Sequence, residues 1–150
     1  MLKSKLNLFE KSVLYFAELN TTNTVLHATE SNMAFLHAVK SAGAAEANND
    51  SYANTCLLSK PICNVENIVH ILQQAQKGLY KGELVLTSYY APNLLAKVLN
   101  LFCKDKQGNA VKKYYTKKEI LHLVQNAGFQ HVRCCIMFGY VAVCTAWVHM

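Results

Sequence analysis

A chain of 150 residues that is 52% hydrophobic and only 16% charged is long enough to bury one core and too apolar to remain disordered. Two prolines and six glycines, with no Ser/Pro or Gly/Ser run, leave nothing that divides residues 1–150 into more than a single domain. The formal charge of +6 favours anionic partners, whereas no stretch approaches the roughly 20 apolar residues that a membrane-spanning helix needs.

In chain order, Leu6, Phe9, Val13, Phe16 and Ala17 recur at helical spacing, so residues 5–19 read as an amphipathic helix, with a strand over Val13–Ala17 as the rival. Lys3, Lys5, Glu10 and Lys11 interrupt this segment and exclude the apolar core of a signal peptide. A polar turn, Asn20–Asn23, leads into a short strand over Thr24–Thr29. Ser31 or Asn32 caps a helix over Met33–Ser41 that Gly43 helps to end, and Ala44–Asp50 reads as loop. Tyr52–Leu58 alternates weakly as a strand, and Asn64 caps a helix carrying Val65, Ile68, Val69, Leu72 and Ala75. Glu83–Ser88 is a strand, and Leu94, Leu95, Val98, Leu99 and Phe102 form a short helix after Pro92. Thr116 caps a helix over Lys117–Asn126 ending at Gly128; strands over Val132–Phe138 and Val141–Trp147 then meet in a hairpin at Gly139–Tyr140. Strands alternating with helices and closing in a hairpin imply an α/β, Rossmann-like three-layer sandwich. Its sheet would be mostly parallel, with the reversed strand at the edge.

The last part of this pattern carries a resemblance. Gln125-Asn-Ala-Gly-Phe129, the two strands after it, and the run Tyr52–Ser59, Val65–Lys77, Lys81–Thr87 are similar to the closing segments of class I S-adenosylmethionine-dependent methyltransferases of the ubiquinone/menaquinone-biosynthesis type. In that family the first strand ends in a D/E-x-G-x-G-x-G loop, whose glycines let backbone amides approach the cofactor. No glycine precedes Gly43, and laying Glu18–Thr24 on the loop leaves too few residues for a crossover helix. The better alignment makes residues 5–19 the first crossover helix, with the first strand absent and the cofactor end truncated or divergent.

By this resemblance Glu30 is the ribose ligand of S-adenosylmethionine, Ser59 lies beside it, and Lys60, Tyr89 and Tyr90 line the pocket of a small-molecule acceptor. The alternatives are that Glu30 complements the positive end of the next helix and that the tyrosines are aromatic packing. No residue is singled out as catalytic. Lys104, Lys106, Lys112, Lys113, Lys117 and Lys118 make a basic patch, read either as a site for an anionic polymer or as a solvated loop and helix face. A single arginine, Arg133, argues against nucleic acid.

Six cysteines (Cys56, Cys63, Cys103, Cys134, Cys135 and Cys144) lie mostly in apolar runs without a C-x-x-C pair, and six histidines lack the spacing of a metal pair. Neither disulfides nor a metal is expected, and a reducing, cytoplasmic setting follows. The sequence thus points to a methyltransferase-like protein with cofactor binding weakened or lost, a pseudoenzyme with a binding or scaffold role. It would present the Val141–Trp147 edge or the Leu94–Phe102 helix to a protein partner or a second copy. The alternatives are an active methyltransferase in which Asn20–Asn23 replace the missing loop, and a lysine-patch binder.

Overall fold

The computed structural model describes residues 5–47, 53–102 and 113–148. Five helices, α1 (Leu8–Ala17), α2 (Met33–Ser41), α3 (Ile68–Gly78), α4 (Asn93–Phe102) and α5 (Lys117–Asn126), accompany seven strands. These are β1 (Thr24–His27), β2 (Ala45–Glu46), β3 (Ala53–Leu57), β4 (Leu79–Tyr90), β5 (Tyr114–Tyr115), β6 (Gln130–Met137) and β7 (Val141–Trp147). They form one sheet in the order β2-β1-β3-β4-β7-β6, with β5 pairing beside the end of β4. All neighbours are parallel except β7, which runs antiparallel to both β4 and β6.

Burial alternates along the central strands because successive side chains leave a strand on opposite faces. Val25, Leu57, Val85, Val141 and Val143 meet Phe9 and Val13 of α1 and Phe35 and Val39 of α2 in one apolar layer. Cys56, Leu84, Leu86, Ala142, Cys144 and Ala146 meet Leu72 and Ala75 of α3 and Ile120 and Val124 of α5 in the other. The result is the expected three-layer sandwich. Gly82 sits where β4 crowds β3: a Cβ there would lie 2.8 Å from the Asn54 carbonyl oxygen, so only glycine lets the two backbones approach.

Helix ends follow local chemistry. Asn7 and Glu10 form a reciprocal capping box on α1, as Thr116 and Glu119 do on α5, and Asn32 caps α2 through the Phe35 amide. Gly128 takes φ +102°, which ends α5 and folds Phe129 into the core.

Several expectations need correction. Residues 8–17 are helical, which removes the strand reading of Val13–Ala17. Ala45–Glu46, expected in a loop, pairs with Thr24–Val25 as an edge strand. Asn64 ends a short 3-10 turn, Ile62–Asn64, and α3 starts only at Ile68, because Asn67 adopts a left-handed conformation that breaks the apolar run of Val65 and Ile68. The strand expected over Glu83–Ser88 extends to Leu79–Tyr90, its partners β3, β5 and β7 sustaining pairing beyond the local apolar run. Tyr114–Tyr115 forms a strand the sequence did not signal, held by Tyr89 and Tyr90. The reversed strand β7 lies inside the sheet, so β6 rather than Val141–Trp147 is the edge.

Candidate functional site

In a doubly wound sheet, ligands bind outside the carboxyl ends of the strands, where the strand order reverses. Here β1 is followed by β2 on one side while β3 and β4 continue on the other, so the reversal falls between β1 and β3. The segment after β1 (Ala28–Asn32) and the segment after β3 (Leu58–Pro61) flank it. The amino terminus of α1 reaches the same edge, since the Asn32 side-chain amide donates to the Glu10 carboxylate at 2.6 Å. Glu10 is buried; besides accepting from Asn32, it closes the α1 cap through the Asn7 amide.

The strand order matches the doubly wound sequence 3-2-1-4-5 with its first strand left out. Val25, Leu26 and His27 pair directly with Thr55, Cys56 and Leu57, so among the described residues no strand separates them. The flanking segments consequently meet: the Ser31 and Ser59 hydroxyls lie 2.9 Å apart across the crevice.

The candidate residues divide in this setting. Glu30 is exposed just past the carboxyl end of β1, and Lys60 is exposed just past the end of β3. Ser59 is buried at 2% exposure, its hydroxyl bonded to Ser31. Tyr89 and Tyr90 do not form one aromatic pair. Tyr89 packs on the α1 side, its ring 4.6 Å from Phe9 and 5.5 Å from Tyr114, whereas Tyr90 packs into the layer of α3 and α5. The Tyr90 amide donates to the Tyr140 carbonyl at 2.8 Å, joining the end of β4 to the hairpin.

Asn20–Asn23, proposed from sequence as a substitute cofactor loop, lie at the other end of the sheet. The Asn54 side-chain amide donates to the Thr22 carbonyl, and the Asn23 side-chain amide donates to the Thr55 hydroxyl, both near the start of β3. That placement overturns the substitution. Of the basic patch, Lys113 stands 4.7 Å from the centroid of the Tyr115 ring, Lys117 and Lys118 are exposed on the first turn of α5, and Lys104, Lys106 and Lys112 lie outside the described residues. Cys134 and Cys135 face opposite ways, half-buried and exposed, and burial pushes the Cys134 thiol up despite the nearby Lys117. Burial also raises the Cys56 thiol to about 12.

The structure adds residues that the sequence did not single out. A cavity of about 560 Å³ opens between the segment that follows β3 and β5, lined by Ile62, Cys63, Ile68, His70, Lys113 and Tyr115. Burial is the main cause raising the Tyr115 phenol, with Cys63 and Glu119 adding to it. The available signal was the doublet Tyr114-Tyr115, which mirrors the doublet it pairs with. A larger groove of about 910 Å³ lies at the amino end of β4, between Glu18, Glu83, Arg133 and Trp147. Its size does not make it the site, because it faces away from the strand ends where the loops converge.

No family model and no curated protein matches this sequence. Solved structures do match in fold. An S-adenosylmethionine-dependent methyltransferase of Thermotoga maritima, named as a possible histamine N-methyltransferase, aligns over 95% of this chain and 89% of its own at 14% identity and a TM-score of 0.59. Human N-acetylserotonin methyltransferase, solved with S-adenosylmethionine, aligns over 94% of this chain and 52% of its own at 12% identity and a TM-score of 0.62. A Planctomyces limnophilus O-methyltransferase family 2 protein, solved with apigenin, aligns over 83% and 42% at 11% identity and a TM-score of 0.56. The chain thus spans about half the length of the latter two. Its fold is that of the class I S-adenosylmethionine-dependent methyltransferases.

Glu30, expected as the ribose ligand, stands exposed three residues past the end of β1. No glycine precedes Gly43, and the Ser31 and Ser59 hydroxyls meet across the crevice between the segments that follow β1 and β3.

Proposed function

We propose that the protein serves S-adenosylmethionine-dependent methyl transfer to a small-molecule acceptor, this chain supplying the ribose side and the acceptor side of the site. The observation that carries the reading is the carboxyl edge of the sheet. Glu30 is exposed there, and the cavity beside Cys63, Lys113 and Tyr115 opens near the ends of β3 and β4. Methyl transfer rests chiefly on alignment of acceptor and sulfonium carbon, which a rigid strand end with lining side chains provides. Glu30 would hold the ribose, and Cys63, Lys113 and Tyr115 would border the acceptor.

Calorimetry with S-adenosylmethionine and S-adenosylhomocysteine tests this. Saturable binding is expected, weakened about tenfold or more in Glu30→Gln, since the charge-assisted bonds contribute roughly 1.5–3 kcal/mol. Absence of binding to either compound by the folded chain would overturn the reading.

A second reading is favoured by the direct pairing of β1 with β3 and the Ser31–Ser59 contact. In it cofactor binding is weakened or lost and the fold is kept as a binding subunit. No calorimetric heat, together with a normal cooperative melt, is its expected signature.

A further inference from the structure

The helix α4 is inside out. On a helical wheel at about 100° per residue, Leu94, Leu95, Val98, Leu101 and Phe102 fall within one arc of roughly 120°. All five are exposed, Leu94 at 77% and Phe102 at 81%. The polar Asn100 instead turns inward, where its side chain accepts from the Tyr114 amide at 2.7 Å and donates to the Tyr114 carbonyl at 3.0 Å. A helix on a folded domain ordinarily buries its apolar stripe, so this one is fixed by polar bonds with its apolar stripe outward. An apolar patch held in that way marks a contact surface.

What surrounds the patch points to its occupant. Lys97 is exposed on α4 itself, Lys117 and Lys118 are exposed on α5, and Lys113 precedes β5. The groove between α4 and α5 is lined by Lys97, Lys118 and His122 with Glu119, whose carboxylate is engaged in the α5 cap. A second copy would bring these lysines against their own kind on a chain already at +6. Nucleic acid would match the charge and waste five apolar side chains. A protein groove would take the helix but not the lysines spread over α5 and β5.

We infer that α4 and its flanking lysines form a docking surface for an anionic lipid bilayer. The apolar arc enters the headgroup boundary, while the long lysine stems reach up to lipid phosphates and carboxylates. No described helix is long and apolar enough to cross a membrane, so the contact lies in the plane of the interface.

The test is co-sedimentation of the full chain with vesicles of phosphatidylcholine alone and of phosphatidylcholine mixed with phosphatidylserine. Binding is expected to the mixed vesicles only, and to fall as salt is raised. The double substitution Leu101→Glu, Phe102→Glu should weaken it about tenfold or more, and Lys117→Glu with Lys118→Glu should weaken it and flatten its salt response. Because all four positions are exposed, the variants should melt as the parent does, which separates lost binding from lost folding. Four results would each overturn the inference. These are no vesicle binding, equal binding to neutral vesicles, retention on immobilised heparin without vesicle binding, and a dimer that Leu101→Glu, Phe102→Glu dissolves.

Discussion

The unit α5–β6–β7 and the crevice between β1 and β3 are built to different standards. In the first, local signals agree with one another: Thr116 and Glu119 close a capping box, Ile120 and Val124 are fully buried, Gly128 turns the chain, and β6 and β7 pair around a turn in which Phe138 and Gly139 both take positive φ. In the second, polar groups are packed without evident partners. Both ring nitrogens of His27 and the Thr29 hydroxyl are shielded from solvent and have no hydrogen-bond partner among the described residues. Buried polar atoms are ordinarily paired, and exceptions gather where a protein departs from its most stable arrangement. The contrast locates stability in the carboxyl-terminal unit and tension at the edge where a ligand would bind.

The sharpest way to break this contrast is to damage the stable unit. Ile120→Ala removes a side chain with no solvent exposure, wedged between α5 and the sheet, and should cost about 2–5 kcal/mol in urea denaturation. Leu101→Ala, on the outward face of α4, should change stability by no more than about 0.5 kcal/mol. Equal losses at the two positions would mean that α4 buries its apolar arc in the folded protein, contrary to its 67% exposure at Leu101.

Next in size come two hydroxyls, one from each region. Thr116→Ala removes the α5 cap and should cost about 1 kcal/mol. Ser59→Ala removes the contact across the crevice and leaves the Ser31 hydroxyl with a long bond of 3.4 Å to the Thr29 carbonyl. A loss of about 0.5–1.5 kcal/mol is expected if that contact holds the loops together. An unchanged denaturation midpoint in Ser59→Ala would show the crevice to be open in solution.

How far the sequence disclosed this follows the same division. Met33–Ser41 and Lys117–Asn126 coincide with their expected bounds because cap, apolar period and glycine stop fall together at each, and Val141–Trp147 does so because the Gly139–Tyr140 turn fixes where its apolar run begins. The short strands at Ala45–Glu46 and Tyr114–Tyr115 were not legible, since two residues carry no period and their pairing is supplied by distant neighbours. Nor was the late start of α3, which depends on the backbone of Asn67. At the site, the resemblance rather than any periodicity singled out Glu30, Ser59 and Lys60, which follow β1 and β3 in the chain. The separation of Tyr89 from Tyr90 to opposite faces was not expected, since the strand was read as ending at Ser88 whereas β4 runs on to Tyr90. The outward face of α4 was one of two surfaces expected to meet a partner, and spacing could not choose between them, because an apolar stripe has the same period whichever way it points.

The smallest effect probes the crevice through pH. His27 ends β1 with its ring 5.9 Å from Phe35, and burial holds its pKa below the ordinary imidazole value, with Glu46 opposing in part. As pH falls through the ordinary range, near 6.5, the unfolded chain takes up a proton that the folded chain still refuses. Folding stability is therefore intact above that pH and declines below it, until the folded-state pKa is also passed. The urea midpoint of the parent should drop between neutral and mildly acidic pH, and His27→Gln should lose part of that drop. A parent and variant with the same pH profile would show that the imidazole is solvated in the folded protein. The orphaned nitrogens would then be reached by water, and the supposed tension at the β1 end would be absent.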